Sequence, residues 1–101
     1  MDSLSDINFN YERAIRQAER LETLSGRLRN AANHDMGSVL NAVRRAWRSD
    51  STQSYLRKGE KVEADLQSMA EDLKKTASKI RAIAEQVRAA EMEARRIANE
   101  H

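Results

Sequence analysis

The chain has 101 residues, of which 40% are hydrophobic and 34% charged, with no proline and no cysteine. That length allows one domain, and the lack of cysteine excludes a disulfide framework and thiolate chemistry. Basic and acidic residues alternate along the chain and leave a formal charge of +2. A basic block is typical of nucleic-acid-binding proteins, so we expect no nucleic acid partner.

Two further features concern export and membranes. Residues 1–10 lack the basic start and the apolar run of a secretory signal peptide. Nowhere does the chain contain the roughly 18 consecutive apolar residues that a membrane-spanning helix needs. The sequence predicts a protein made in the cytoplasm without a signal peptide, and membrane binding is not expected.

The first half of the chain has apolar or small residues at steps of four and three, which predicts a helix over about 6–46. Ser5 or Asp6 is its predicted N-cap. The stretch 33–37 contains poor helix formers, and we expect a kink or partial unwinding there. The predicted row consists of Leu4, Ile7, Tyr11, Ala14, Ala18, Leu21, Ser25, Leu28, Ala32, Asp35, Val39, Ala42 and Ala46.

Residues 47–51 are predicted to form a turn, because short polar side chains compete there with helical hydrogen bonding. Ser51 or Thr52 is the predicted N-cap of a second helix over about 52–98. Its main row consists of Tyr55, Gly59, Val62, Leu66, Met69, Leu73, Thr76, Ile80, Ile83, Val87, Ala90, Ala94 and Ile97. A secondary row offers small side chains for the close approach of another helix, and its members are Leu56, Ala70, Ala77 and Ala84.

Two helices joined by so short a turn lie antiparallel, so we predict an all-α fold with one long antiparallel helical hairpin over 1–101. The apolar faces are wider than two helices can cover, which predicts that hairpins dimerise into a four-helix bundle. The residues expected in the dimer or hairpin core are Leu21, Leu28, Val39, Val62, Leu66, Leu73, Ile80, Ile83 and Val87.

No arrangement of residues in the sequence predicts catalysis. His34 and Asp35 are adjacent, but neighbouring helical side chains point about 100° apart, and no third ligand follows one turn later. We therefore expect no catalytic, cofactor-binding or metal-binding residues, and no enzymatic activity.

Trp47 is the only tryptophan, and it directly precedes the polar turn, eight residues before Tyr55. Two interpretations are open. In the first, the indole fills the open end of the interface between the two helices, and its N–H donates a hydrogen bond to a loop carbonyl. In the second, it belongs to a recognition tip.

The turn reads Trp47-Arg48-Ser49, with an alanine-rich approach over 42–46 before it and Tyr55 after it. This pattern, spread over nearly the whole chain, resembles the WXG family of early secreted antigens, although Ser49 stands where the family has glycine. The resemblance implies a helical hairpin that forms homodimers or heterodimers and carries Trp47, Arg48, Ser49 and Tyr55 at a recognition tip. It also implies export from mostly Gram-positive bacteria and mycobacteria by a type VII secretion machine driven by an ATPase.

Many family members also carry a Tyr-x-x-x-Asp/Glu export signal after the second helix. Val87 with Glu91 is the nearest counterpart here, with the spacing but without the aromatic residue. The resemblance further implies an adaptor that docks on the helical N-terminal domain of a larger secreted toxin, or one half of a heterodimer whose partner carries the signal.

We therefore predict a small non-enzymatic type VII secretion substrate or secretion adaptor that acts as a hairpin dimer. The alternative is a structural coiled-coil scaffold or tethering protein unrelated to secretion, because heptads and a turn are common. A membrane-surface helix ranks last, since the polar faces mix charges of both signs.

Overall fold

A computed structural model describes residues 3–47 and 50–100. Helix α1 spans Leu4–Asn30 and continues through a π-helical segment, Ala31–Met36, into helix α2, Gly37–Ala46. Helix α3 spans Asp50–Asn99. The described residues contain no strand, and the predicted all-α class is confirmed.

The turn between the two halves of the chain is shorter on its C-terminal side than predicted. Helix α2 ends at Ala46 as expected, but α3 already begins at Asp50. Ser51 and Thr52 therefore lie in the first turn of α3 and are not its N-cap, because the helix begins before both of them. Residues 48–49 of the predicted turn lie outside the described part of the chain.

Helix α1 begins with a reciprocal cap. The Ser3 hydroxyl accepts a hydrogen bond from the Asp6 backbone N–H at 3.1 Å, and the Ser3 N–H donates to Asp6 Oδ2 at 3.4 Å. Such a pair satisfies backbone groups that the first helical turn leaves unbonded. The cap is therefore Ser3, and Asp6 is its partner in the first turn instead of the N-cap.

The chain divides into two compact units, each built from part of the N-terminal helices and part of α3. Unit 1 comprises the residues up to Glu22 and those from Lys74 onward, and unit 2 comprises Thr23–Leu73. In each unit the residue numbers on α3 fall as those on the facing helix rise. The paired segments are thus antiparallel, and the predicted helical hairpin is confirmed.

In unit 1, the Tyr11 hydroxyl donates a hydrogen bond to Glu85, and Arg81 donates two to Glu22, at 3.1 and 2.6 Å. Its interior is rich in alanine, which lets two helix backbones approach closely. The buried hydrophobic residues of this unit are Ile7, Ala18, Ala77 and Ala84.

In unit 2, the Ser25 hydroxyl donates a buried hydrogen bond to the Ala70 carbonyl oxygen at 2.6 Å. Arg44 and Glu60 form an ion pair at 2.6 Å, and Gln67 donates to the Asn33 side chain. The buried residues of this unit are Ser25, Ala32, Leu40, Thr52, Leu56 and Ala70.

The π-helical segment changes the face that the following helix buries. Ser25 and Ala32 are buried seven residues apart, but the next buried residue, Leu40, comes eight residues after Ala32. A π turn spans five residues where an α turn spans four, so it adds one residue without breaking the helix. The irregularity expected near 33–37 is therefore a π turn, and it buries Leu40 and leaves Val39 exposed.

On α3, the row predicted as secondary is the buried one. Leu56, Ala70, Ala77 and Ala84 all face the interior of their units. Three of the four are alanines, and small side chains bring the helices closer than a row of isoleucine, valine and methionine would allow.

The predicted core residues divide accordingly into two groups. Leu21, Leu28, Leu66, Leu73 and Ile80 are half-buried, whereas Val39, Val62, Ile83 and Val87 are exposed. The π turn displaces Val39, and the other three belong to the row beside the buried one. These four residues lie outside the interior of the hairpin. Their place in a dimer core stays a prediction.

Candidate recognition site

Trp47 lies where α2 stops. Its backbone is extended, with φ −130° and ψ 130°, and its N–H donates the last helical hydrogen bond to the Val43 carbonyl oxygen at 3.0 Å. The extended backbone carries the indole away from the helix axis, and the residue is 68% exposed. An indole that plugged the end of the hairpin would be buried, so this geometry favours the recognition interpretation.

An open cleft of about 430 Å³ lies in unit 2 beside this indole. Trp47 and Tyr55 supply aromatic surface, Val43 supplies an aliphatic side chain, and Ser51 and Thr52 add hydroxyl-bearing residues from the first turn of α3. Aromatic rings with nearby hydrogen-bonding groups suit an apolar side chain that has a polar edge. The cleft can therefore hold a side chain of a protein partner.

The structure thus brings together two of the four residues predicted at the tip, Trp47 and Tyr55. The other two, Arg48 and Ser49, lie outside the described residues. Sequence reasoning did not assign Val43, Ser51 or Thr52 to this site. The sequence spacing could have indicated two of them, since Val43 lies one helical turn before Trp47 and Ser51 one turn before Tyr55.

Two basic residues in the last turn of α2, Arg44 and Arg45, already have partners. Arg44 donates to Glu60 at 2.6 Å and to the Asn41 side chain at 2.8 Å, and Arg45 donates to the Asn41 carbonyl oxygen. A guanidinium that is paired with a carboxylate is a poor receptor for a second anion. Arg44 is therefore a poor receptor for a phosphate, and the aromatic lining of the cleft suits an uncharged or aromatic group.

The predicted export-signal residues lie in unit 1, within α3 and not beyond its end. Val87 is exposed and Glu91 half-buried, and both line a shallow groove of about 230 Å³ with Ile7 and Tyr11. One oxygen of Glu91, Oε2, is buried without a hydrogen-bond partner among the described residues.

Polar contacts beside this groove tie α1 to α3 within unit 1. The Arg88 guanidinium lies 3.8 Å from the centre of the Tyr11 ring, a cation–π distance. The hydrogen bond that Tyr11 donates to Glu85 raises the pKa of the phenol and lowers the pKa of the carboxyl. Likewise, the hydrogen bonds from Arg81 hold the pKa of Glu22 below its usual range. These contacts stabilise one side of the hairpin.

Within residues 3–47 and 50–100, no group of three or more His, Asp or Glu residues is arranged to hold a metal ion. No helix in the described part of the chain is both long enough and apolar enough to cross a membrane. The chain has no significant match among protein-family models, curated proteins or solved structures.

Proposed function

We propose that this chain is a small non-enzymatic type VII secretion substrate or secretion adaptor, which acts as a helical-hairpin dimer and uses its tip in recognition. The observation that carries the proposal is the exposure of Trp47 and Tyr55, which both line one cleft near the turn. The pattern of a helical hairpin with a tryptophan at its turn is the one on which the resemblance to the WXG family rests.

The exposed aromatic residues support recognition for an energetic reason. Tryptophan and tyrosine are the side chains that contribute most often to binding hot spots, because they bury a large area with few rotatable bonds. Exposing both side chains to water is unfavourable in free energy, and a partner that buries them removes this cost. The partners proposed for the tip are the secretion ATPase and the helical N-terminal domain of a larger secreted toxin.

The apolar residues exposed on α3 support the dimer. Val62, Met69 and Ile83 are large and exposed at intervals of seven or fourteen residues, which places them on one face of the helix. Another helix is the natural cover for such a face. The dimer partner is a second copy or a different hairpin, and in a heterodimer the partner carries the export signal that Val87 and Glu91 lack in full.

The proposal is tested with Trp47→Ala in a bacterium that has a type VII machine. Because the indole is mostly exposed, the variant keeps the helical signal and the melting temperature, with a change in stability below about 1 kcal/mol. Its appearance in the culture medium, or its capture of a co-expressed toxin domain, is lost. The wild-type chain appears in the culture medium only in cells whose secretion ATPase is active.

Phe9→Ala is the matched control, because Phe9 is also an exposed aromatic residue but belongs to unit 1 and does not line the cleft. This variant is exported or captured like the wild type. Equal export of the wild-type chain with and without an active ATPase, together with normal behaviour of Trp47→Ala, would contradict the proposal. That result favours the structural scaffold, because a scaffold needs only the exposed apolar face of α3 with Val62, Met69 and Ile83.

A further inference from the structure

The row of small residues that α3 buries in unit 1 continues to a carboxylate. Ala77 and Ala84 are buried seven residues apart, and the next residue at this spacing is Glu91. Its side chain is half-buried, and Oε2 is enclosed without a hydrogen-bond partner among the described residues. An enclosed carboxylate oxygen that lacks a donor is unfavourable in free energy, so the packing of the hairpin does not explain Glu91.

The basic residue that lines the groove beside Glu91 is already engaged. Arg88 donates a hydrogen bond to Glu85 at 3.1 Å, and its guanidinium lies 3.8 Å from the centre of the Tyr11 ring. Tyr11 in turn donates its hydroxyl hydrogen to Glu85. These three side chains satisfy one another and leave Glu91 with an unused acceptor. The donor that Glu91 lacks therefore has to come from outside the hairpin.

The walls of the groove determine what kind of donor fits. Ile7, Ile80 and Val87 line it with aliphatic surface, and its volume is about 230 Å³. A methylene stem can lie along such walls while a charged group at its end reaches the carboxylate. Asn10 also lines the groove and offers a second acceptor, its side-chain carbonyl oxygen. The groove thus suits an alkyl chain that ends in a cationic donor.

We propose that this groove of unit 1 is a docking site for a lysine side chain of a partner protein. The methylene stem lies along the aliphatic walls, and the ammonium donates to the Glu91 carboxylate and to Asn10. The outer torsion of a glutamate side chain is soft, so the carboxylate can turn toward the groove to meet the ammonium. Lysine suits the groove better than arginine, because its stem is longer and its charge more compact.

The exposed residues that line the groove indicate that the lysine belongs to a protein. Ile83 and Val87 are 57% and 48% exposed. A free amine small enough for the groove leaves most of this apolar surface in water, whereas a protein surface around the lysine covers both residues. The charge adds to the selection, because a carboxylate among aliphatic groups attracts a cation more strongly than it would in bulk water.

This inference goes beyond the proposed function, because the groove lies in unit 1 and the cleft with Trp47 in unit 2. The test is a nuclear magnetic resonance titration of the isotope-labelled full chain with blocked amino acids. The first probe is acetyl-lysine methylamide, and the second is the norleucine compound, which keeps the methylene stem but has no ammonium. We expect the lysine probe to shift the amide signals of Ile80 and Val87 and to bind about tenfold more tightly than the norleucine probe.

Two variants separate the contribution of the carboxylate from that of the groove walls. Glu91→Gln keeps the size of the side chain but removes its charge, so we expect the preference for the lysine probe over the norleucine probe to disappear. Glu12→Gln is the matched control, because Glu12 is an exposed glutamate of unit 1 that does not line the groove. It changes the net charge equally and keeps the preference. Circular dichroism shows that both variants remain helical.

The inference is overturned if the two probes bind equally to the wild type, or if Glu91→Gln keeps the full preference. It is also overturned if n-butylammonium, a free amine with the same stem, binds more tightly than the blocked lysine, because the groove is then a site for a small amine. Each of these results leaves the secretion proposal standing, since the export of Trp47→Ala is measured separately.

Discussion

Gly59 of α3 lies close against the buried side chain of Leu40. A Cβ placed at Gly59 would overlap Leu40 Cδ2 and lie 3.4 Å from its Cγ. Alanine has a helix propensity about 1 kcal/mol better than glycine, whereas overpacking a core costs about 1–3 kcal/mol. Leu40 is only 2% exposed and has little room to move, so we expect Gly59→Ala to destabilise the chain.

Gly26→Ala is the matched control in the same unit. A Cβ there meets nothing within 4 Å. Only the propensity gain remains, and we expect this variant to stabilise the chain by about 1 kcal/mol. Urea unfolding of both variants measures the difference, and equal effects of the two substitutions would contradict the close approach at Gly59.

The ion pair of Glu22 with Arg81 makes stability depend on pH. The hydrogen bonds from Arg81 lower the pKa of Glu22 in the folded chain. A lowered carboxyl pKa contributes stability above the unfolded value of about 4.3, and this contribution is lost as the pH falls through the folded value. We expect Glu22→Gln to destabilise the chain more at about pH 7 than at about pH 3.

Urea unfolding at both pH values tests this expectation, with Glu12→Gln as the control. Glu12 is also an exposed glutamate of α1, so its neutralisation changes the net charge equally. The wild type and Glu22→Gln should converge in stability at low pH. A constant difference between them would mean that Glu22 contributes by packing and not by its charge.

At the scale of the helix, the π turn makes a deletion tolerable. His34 is exposed and lies within Ala31–Met36. Removing it lets the segment close as a regular α-helix, because Leu40 then follows Ala32 by seven residues instead of eight and stays on the buried face. We therefore expect the His34 deletion to keep the helical content and to leave the melting temperature unchanged or higher.

Deletion of Arg16 in α1 is the contrasting variant. No π turn is present there to absorb the change, so the residues before it rotate by about 100° relative to Ala18. Ile7 then leaves the interior, and burial worth about 2–5 kcal/mol is lost. Thermal unfolding followed by circular dichroism should rank the Arg16 deletion well below the His34 deletion. The reverse order would contradict the role given to the π turn.

These elements also show what the sequence could predict. Two long helices ending at Ala46 and near residue 98 follow from spacing and composition, and both are confirmed within a residue. The change of face after Ala32 could not be predicted, because a heptad count assumes a constant period. On α3, the heptad count could not decide which of two adjacent rows is buried. The row with Val62 is the more hydrophobic, but close packing of the helices buries the row of alanines.

The lining of the cleft near the turn could also be predicted only in part. Trp47 and Tyr55 are conspicuous in the sequence because aromatic residues are rare in this chain. The cleft that both of them line depends on where α3 begins, and the start at Asp50 brings Ser51 and Thr52 into its lining. A turn ending at residue 51 would have placed these side chains elsewhere.

At the scale of the whole molecule, dimerisation links stability to concentration. If folded chains pair through the exposed face of α3 that carries Val62, Met69 and Ile83, mass action raises the melting temperature as the protein is concentrated. We expect a clear rise over about a hundredfold range of concentration, followed by circular dichroism. A melting temperature that is constant in the wild type would rule out a dimer in that range.

The position of Trp47 also has a spectroscopic consequence. Because it is the only tryptophan and is mostly in water, the tryptophan emission of the chain comes from one exposed indole that lines the cleft. A partner that covers the cleft dehydrates that indole and moves its emission to shorter wavelength. The unlabelled chain thus carries its own probe of the tip, and a titration can be read without any added chromophore.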